Sequence, residues 1–261
     1  MLQGHRAYLS GPMGFVVSRE NEMKFGWRSR VGKFLGEMGV VVFDPWNKPR
    51  VKWFYEYGKE TGLLKEIDEK WSSNRSGRGK RNRAECAEKF KDTMHIDLRM
   101  VDTSDFLIAY CPTNIYSVGT VHEIILASQQ HKPVLVVSPH VGFPTLEKLR
   151  SHLQSDKRAQ QLLAKLEREV PIKPNDKGMP SLWYMALLGE HSFFDGFGFA
   201  KYRKQYGWQL GPLDVRENAS PPRRPLLPFL KQLDSGEKPT RFDLKTGSNI
   251  EDEDWLLLEW M

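Results

Sequence analysis

The sequence predicts an α/β protein built on a parallel sheet. Two stretches carry that reading. Residues 106–137 read FLIAYCPTNIYSVGTVHEIILASQQHKPVLVV. An apolar run at 106–110 ends in a polar loop, a helical pattern starts at Thr120, and a second apolar run follows Pro133 at 134–137. That is strand, loop, helix, strand, the grammar of one βαβ unit. The chain opens the same way. Residues 7–9 are apolar, Ser10-Gly11-Pro12 breaks them, and residues 19–38 carry Met23, Trp27, Val31, Phe34, Leu35 and Met38 at helical spacing. Gly39 stops that helix and residues 40–43 form a second strand closing at Asp44-Pro45.

Composition bounds the function. The chain has 261 residues, 39% hydrophobic and 28% charged, enough for one large domain or a domain with a substantial appendage. No run approaches the ~18–20 apolar residues of a membrane span, and the first residues, MLQGHRAYLSGPM, lack a signal peptide's apolar core. Cys86 and Cys111 have no metal-ligand spacing and suit a reducing compartment, so a cytoplasmic location is expected. A formal charge of +6 favours anionic partners such as nucleotides or nucleic acid.

In open α/β sheets ligands collect at the carboxyl ends of strands, beside helix N-termini. Gly11, in the loop after the first strand, allows backbone N–H groups to approach a ligand. Glu123 is placed in the first turn of the helix that starts at Thr120, where a carboxylate is either a helix-dipole partner or a catalytic group aimed into the crevice. Residues 84–101 read as a helix. On it Leu98 and Val101 share a face, while Asp97 sits on another flank, by itself a solvated carboxylate. Asp105, at the following turn, is ordinary turn chemistry.

Residues 47–90 form an insertion rich in aromatics, then in cations: Arg75, Arg78, Lys80, Arg81 and Arg83 with no acid among them. Gly77 and Gly79 argue against a rigid helix. The run reads as a solvated, mobile loop, as a lid that orders on a phosphorylated ligand, or as an arm for single-stranded nucleic acid, the last not favoured. Residues 145–170 read as a helix or helical pair, 183–188 as a helix, and 193–198 (FFDGFG) as a corner of the core, the favoured reading, or a substrate-facing rim. Residues 218–228 read as a Pro/Arg-rich extended linker. An acidic cluster at 251–254 precedes an apolar tail, which packs on its own domain or docks on a neighbouring subunit.

Three pieces, in this order, resemble the nucleoside 2-deoxyribosyltransferase family and the related deoxynucleoside 5′-monophosphate N-glycosidases. They are Tyr8-Leu-Ser-Gly11-Pro12; Asp97-Leu98-x-x-Val101-x-x-Ser104-Asp105; and Gly119-Thr120-x-x-Glu123-Ile124 followed by Ala127. The likeness covers residues 7–137. It implies a three-layer sandwich with a parallel sheet of about five strands, and a catalytic core at 1–142 followed by a helical extension and tail at 143–261. It implies Glu123 as nucleophile or charge stabiliser and Asp97 as general acid. Tyr8 would orient Glu123, unless it is a core aromatic with its hydroxyl at the surface. It further implies substrate contacts at Gly11, Ser117, Gly119 and Thr120, a homo-oligomer, and no metal or organic cofactor. Six residues before the glutamate, nucleoside-processing members carry an aspartate. Ser117 stands here, as in the monophosphate branch, because a serine hydroxyl donates to a phosphate that an aspartate would repel.

The reaction implied is hydrolysis of a (deoxy)nucleoside 5′-monophosphate to free base and sugar phosphate. Its rivals are base exchange between deoxynucleosides, glycohydrolysis of a larger nucleotide such as NAD, and a non-catalytic nucleotide sensor or nucleic-acid module.

Overall fold

The computed structural model describes residues 1–13, 19–47, 77–112, 117–169, 178–237, 240–243 and 248–251. A five-stranded parallel sheet runs β2-β1-β3-β4-β5, from β1 (Arg6–Ser10), β2 (Val41–Phe43), β3 (Phe106–Tyr110), β4 (Val134–Val137) and β5 (Phe193–Phe194). A separate antiparallel hairpin joins β6 (Thr240–Asp243) to β7 (Ser248–Glu251).

Helices cover both faces, so the central strands read as continuous apolar runs, and every residue of β3 is buried. Side chains alternate between the two faces. Ala7, Leu9, Phe106, Ile108, Tyr110, Leu135 and Val137 pack against α2 (Trp27–Glu37), α8 (Phe199–Tyr206) and α10 (Leu226–Asp234). Tyr8, Leu107, Ala109, Val134 and Val136 face α3 (Gly77–Thr103) and α4 (Val118–Gln129). Each large apolar side chain buried this way contributes about 1.5–3 kcal/mol. The order β2-β1-β3 reverses the direction of winding at β1/β3, which opens a crevice at the carboxyl ends of those two strands.

Several expectations need correction. The helix expected over 19–38 is two helices, α1 (Arg19–Phe25) and α2, broken at Gly26. Gly26 is extended (φ −67°, ψ 158°), and a Cβ there would lie 2.3 Å from the Glu22 carbonyl oxygen, so only glycine fits the bend. The helix carrying Asp97 begins at Gly77 rather than at residue 84, so residues 77–83 of the basic run are helical. Each glycine there costs about 1 kcal/mol against alanine, but a helix already nucleated downstream extends through the strong helix formers Arg and Lys. Residues 72–76, with Arg75, lie outside the described residues.

The stretch expected as an extended linker is non-helical over 220–225, but both of its ends are helical. It holds the end of α9 (Pro212–Ala219) and the start of α10, with only 220–225 between them. The fifth strand comes from FFDGFG, where Phe193, Phe194 and Phe197 are all buried, as is Phe199 just beyond it. Residues 145–170 form a helical pair, α5 (Pro144–His152) and α6 (Lys157–Glu169), and α7 (Leu182–Leu188) follows. Among the described residues no helix is long and apolar enough to cross a membrane.

A buried ion pair fastens α9 to α2. Arg30 Nη1 donates to both Asp214 oxygens at 2.8 and 2.7 Å, and Nη2 donates to the Gln209 carbonyl at 2.7 Å. Asp214 also accepts the Gly211 N–H at 2.7 Å. The side chains are only 3% and 1% exposed, so removing one partner strands the other charge out of water. Asp214→Ala is expected to destabilise the fold by about 3–5 kcal/mol, and Arg30→Met with Asp214→Leu by clearly less. Urea denaturation measures both. A loss below about 1 kcal/mol for the single change would show that the pair does not hold α9.

Candidate active site

The period of two along β1 sends Tyr8 and Ser10 to the α3/α4 side, one residue apart in the stack. On α4, Thr120, Glu123, Ile124 and Ala127 share the buried face at i, i+3, i+4 and i+7. The two patterns meet at one carboxylate. Tyr8 Oη donates to Glu123 Oε1 at 2.8 Å, and Ser10 Oγ donates to Oε2. Because α4 starts at Val118, Glu123 lies in its second turn and not in the first. That weakens the helix-dipole reading, since the dipole's influence falls off within the first turn.

Glu123 is 9% exposed, and burial pushes its pKa above the ordinary glutamate range. The hydroxyls of Ser10 and Tyr8 oppose that rise, Asp97 adds to it, and Arg28 opposes it. Tyr8 is wholly buried, hydroxyl included, and its phenol is pushed well up by burial and by the charges of Glu123 and Asp97. Asp97 is itself 6% exposed, in a buried stripe with Thr93 and Val101 on α3. This corrects the solvated flank expected from its sequence neighbours: the buried face of α3 follows the i, i+4, i+8 row through Asp97, and Leu98 is half-buried beside it.

The remaining residues implied by the resemblance are placed as follows. Ser117 is half-buried at the start of α4, with its Oγ 2.7 Å from Thr120 Oγ1. Ser117 makes no capping bond to the helix backbone, so both hydroxyls sit at a helix start. Gly119 is exposed, with open space where a Cβ would go. Gly11 is buried: a Cβ would lie 2.9 Å from Trp27, 3.1 Å from Arg28 and 3.4 Å from Tyr110, so glycine is required by packing. The loop residues 113–116 lie outside the described residues. Asp105 holds a turn, accepting the Arg6 N–H at 2.7 Å and pairing with its guanidinium at 2.8 Å.

Two residues that shape the site escaped the sequence reading. Ser10 was legible only as part of the loop break, though it shares the sheet face of Tyr8 by spacing. Arg28 is 1% exposed on α2 and donates to the carbonyls of Leu9 (3.2 Å), Gly11 (2.6 Å) and Pro12 (3.4 Å). Its guanidinium lies 4.7 Å from the Trp27 ring and 3.9 Å from both Glu22 and Asp44. It thereby fixes the turn that leaves β1. The signal was an arginine lying on the apolar stripe between Trp27 and Val31. Cys111, just past β3, is half-buried, and burial with the nearby Glu123 charge pushes its thiol up to about 12, so it stays protonated. Among the described residues no group of three His, Cys, Asp or Glu side chains could hold a metal ion.

The chain is similar to two solved structures. One is a 2-deoxyribosyltransferase from the psychrotolerant bacterium Bacillus psychrosaccharolyticus, at 17% identity over 51% of this chain and 71% of that one, with a TM-score of 0.30. The other is a conserved protein from Enterococcus faecalis V583, at 14% identity over 70% and 86%, with a TM-score of 0.32. No family model and no curated protein matches the chain.

A buried carboxylate with a raised pKa binds its proton more tightly in the folded state. Its ionisation therefore weakens the fold as pH rises from the ordinary glutamate pKa through the raised one. Glu123→Gln removes that charge, and its amide still serves one hydroxyl as acceptor and the other as donor. The variant is expected to melt above the parent at pH 7 and to approach it near pH 4. Melting temperatures across pH read this; a lower melting point at pH 7 would show that the hydroxyls more than offset burial.

Proposed function

We propose that the crevice at the carboxyl ends of β1 and β3 hydrolyses the N-glycosidic bond of a (deoxy)nucleoside 5′-monophosphate. One observation carries the reading: a buried carboxylate, Glu123, is gripped by the hydroxyls of Tyr8 and Ser10, with a second buried carboxylate, Asp97, beside it. Breaking a C1′–N bond passes through an oxocarbenium-like centre, which needs one carboxylate facing the anomeric carbon and an acid for the leaving base.

In this reading Glu123 faces C1′ as nucleophile or charge stabiliser. Tyr8 and Ser10 hold one hydrogen bond each on its two oxygens, which fixes the plane of the carboxylate before substrate arrives. The C1′–N bond breaks with its electron pair leaving on the base, and Asp97 supplies the proton that neutralises it. Water then adds to C1′ and returns a proton to Asp97, giving sugar 5-phosphate and free base. The hydroxyls of Ser117 and Thr120, at the start of α4, support an anionic 5′ group, because neutral donors at a helix N-terminus suit a phosphate. The likeness of the motifs to the deoxyribosyltransferase family and its monophosphate branch supports the same chemistry.

Incubation with monophosphates, nucleosides and NAD, read by chromatography for free base, tests the substrate. An added acceptor base separates hydrolysis from base exchange. Glu123→Ala is expected to lower base release by at least about a hundredfold in a folded protein, the scale of a lost transition-state charge partner. Asp97→Asn is expected to slow substrates with poor leaving bases more than those with good ones. Near-normal turnover of folded Glu123→Ala would end the assignment, and an equal loss across leaving groups would make Asp97 a positioning residue.

Ser117→Asp places a charge against the phosphate and is expected to cost about 1–3 kcal/mol of monophosphate binding. Steady-state kinetics on monophosphate and nucleoside should diverge; parallel changes would remove Ser117 from phosphate recognition.

A further inference from the structure

Helix α9 lies across the carboxyl edge of the sheet. At its start, a Cβ on Gly211 would lie 3.2 Å from the Arg30 guanidinium and 3.6 Å from the Phe25 carbonyl, so this end rests on α1 and α2. Just past its other end, Ser220 Oγ is 3.3 Å from His140 Nδ1, in the segment after β4. Between these points Glu217 accepts the backbone N–H groups of Phe197 (2.6 Å), Gly198 (3.3 Å) and Phe199 (2.9 Å). The Phe197 ring in turn lies 5.6 Å from that of Tyr110, the last residue of β3. The helix thus runs from the helices after β1 to the segment after β4, passing the end of β3.

Arg216 stands on this crossbar, between the anchors Asp214 and Glu217. It is half-buried, and among the described residues its guanidinium makes no ion pair and no side-chain hydrogen bond. Its charge reaches Tyr110, where it restrains the rise that burial imposes on the phenol. The other charged groups around Tyr110 are Glu22 and Glu217. Glu217 is engaged by three N–H groups, and Glu22 lies 3.9 Å from the Arg28 guanidinium. Arg28 and Arg30, by contrast, are saturated by carbonyls and by Asp214. A half-buried arginine without an ion-pair partner among the described residues keeps its planar fork of donors available, and that fork suits a phosphate.

We infer that Arg216 is the cationic contact for the substrate's phosphate, presented on the wall of the crevice by α9. The identity of the ligand rests on the function proposed above; the presence of an anion site does not. In this arrangement the start of α4 supplies neutral hydroxyl donors and α9 supplies the countercharge. The pinning of α9 by Arg30 and by the 197–199 backbone keeps the backbone that carries Arg216 in place, so the ordering on binding is confined to its side chain.

Arg216→Ala and Arg216→Lys test this, with circular dichroism as a check on folding. For Arg216→Ala the ratio of kcat/KM between monophosphate and nucleoside is expected to fall by at least about tenfold, mainly through KM, with part of the loss recovered in Arg216→Lys. Calorimetric titration with inorganic phosphate alone is expected to show affinity reduced by at least about fivefold in Arg216→Ala. Unchanged phosphate affinity in the folded alanine variant overturns the inference, whatever the kinetics. If the parent releases no base from any nucleotide while Arg216→Ala still weakens phosphate binding, the proposed reaction falls and the anion site stands.

Discussion

The site depends on a carboxylate that is out of water and held by two hydroxyls from one strand. Tyr8 and Ser10 can reach the two oxygens of Glu123 because β1 alternates its side chains and α4 packs on the face that carries them. A one-residue slip of β1 against β3 would send Ala7 and Leu9 to Glu123 and both hydroxyls to the opposite core. Register is pinned by the apolar pattern on both faces of β3 and, beyond the strand, by Arg28, which ties down the carbonyls of Leu9, Gly11 and Pro12. The geometry of the carboxylate is therefore a property of the whole sheet.

Three of the buried acids among the described residues are held in different ways. Asp214 is neutralised by a bidentate arginine. Among the described residues Glu217 takes backbone N–H groups at the start of α8, where the helix dipole favours a negative charge. Among the described residues Glu123 accepts hydrogen bonds from two neutral hydroxyls, while the Asp97 charge works against its ionisation and the Arg28 charge favours it.

Much of this was legible in the chain. The βαβ periodicity located the strands around the crevice almost to the residue, because strands covered on both faces are unbroken apolar runs such as 106–110 and 134–137. The motifs drew attention to Tyr8, Asp97 and Glu123; all three are buried, and Tyr8 and Glu123 are hydrogen-bonded to each other. What stayed hidden depended on long-range partners. Arg28 sits in a helix as any surface arginine might, and only the turn after β1 explains its burial. The two-residue β5 is too short for a period to be read, and FFDGFG shows only as an apolar corner. Gly77 and Gly79 signalled a break by local preference, and the continuing helix overrode it.

The fifth strand has a consequence for how the chain is made. β4 ends at Val137, yet its outer edge pairs with Phe193 and Phe194, and the core on that side is completed only by α8 and α10. As the chain leaves the ribosome, β4 is therefore finished long before its neighbour exists. Through that interval it presents a bare row of N–H and C=O groups flanked by Val134, Leu135, Val136 and Val137, the kind of edge on which nascent chains stick to one another. The order of synthesis thus leaves the apolar edge of β4 uncovered until residues 193–194 emerge to pair with it.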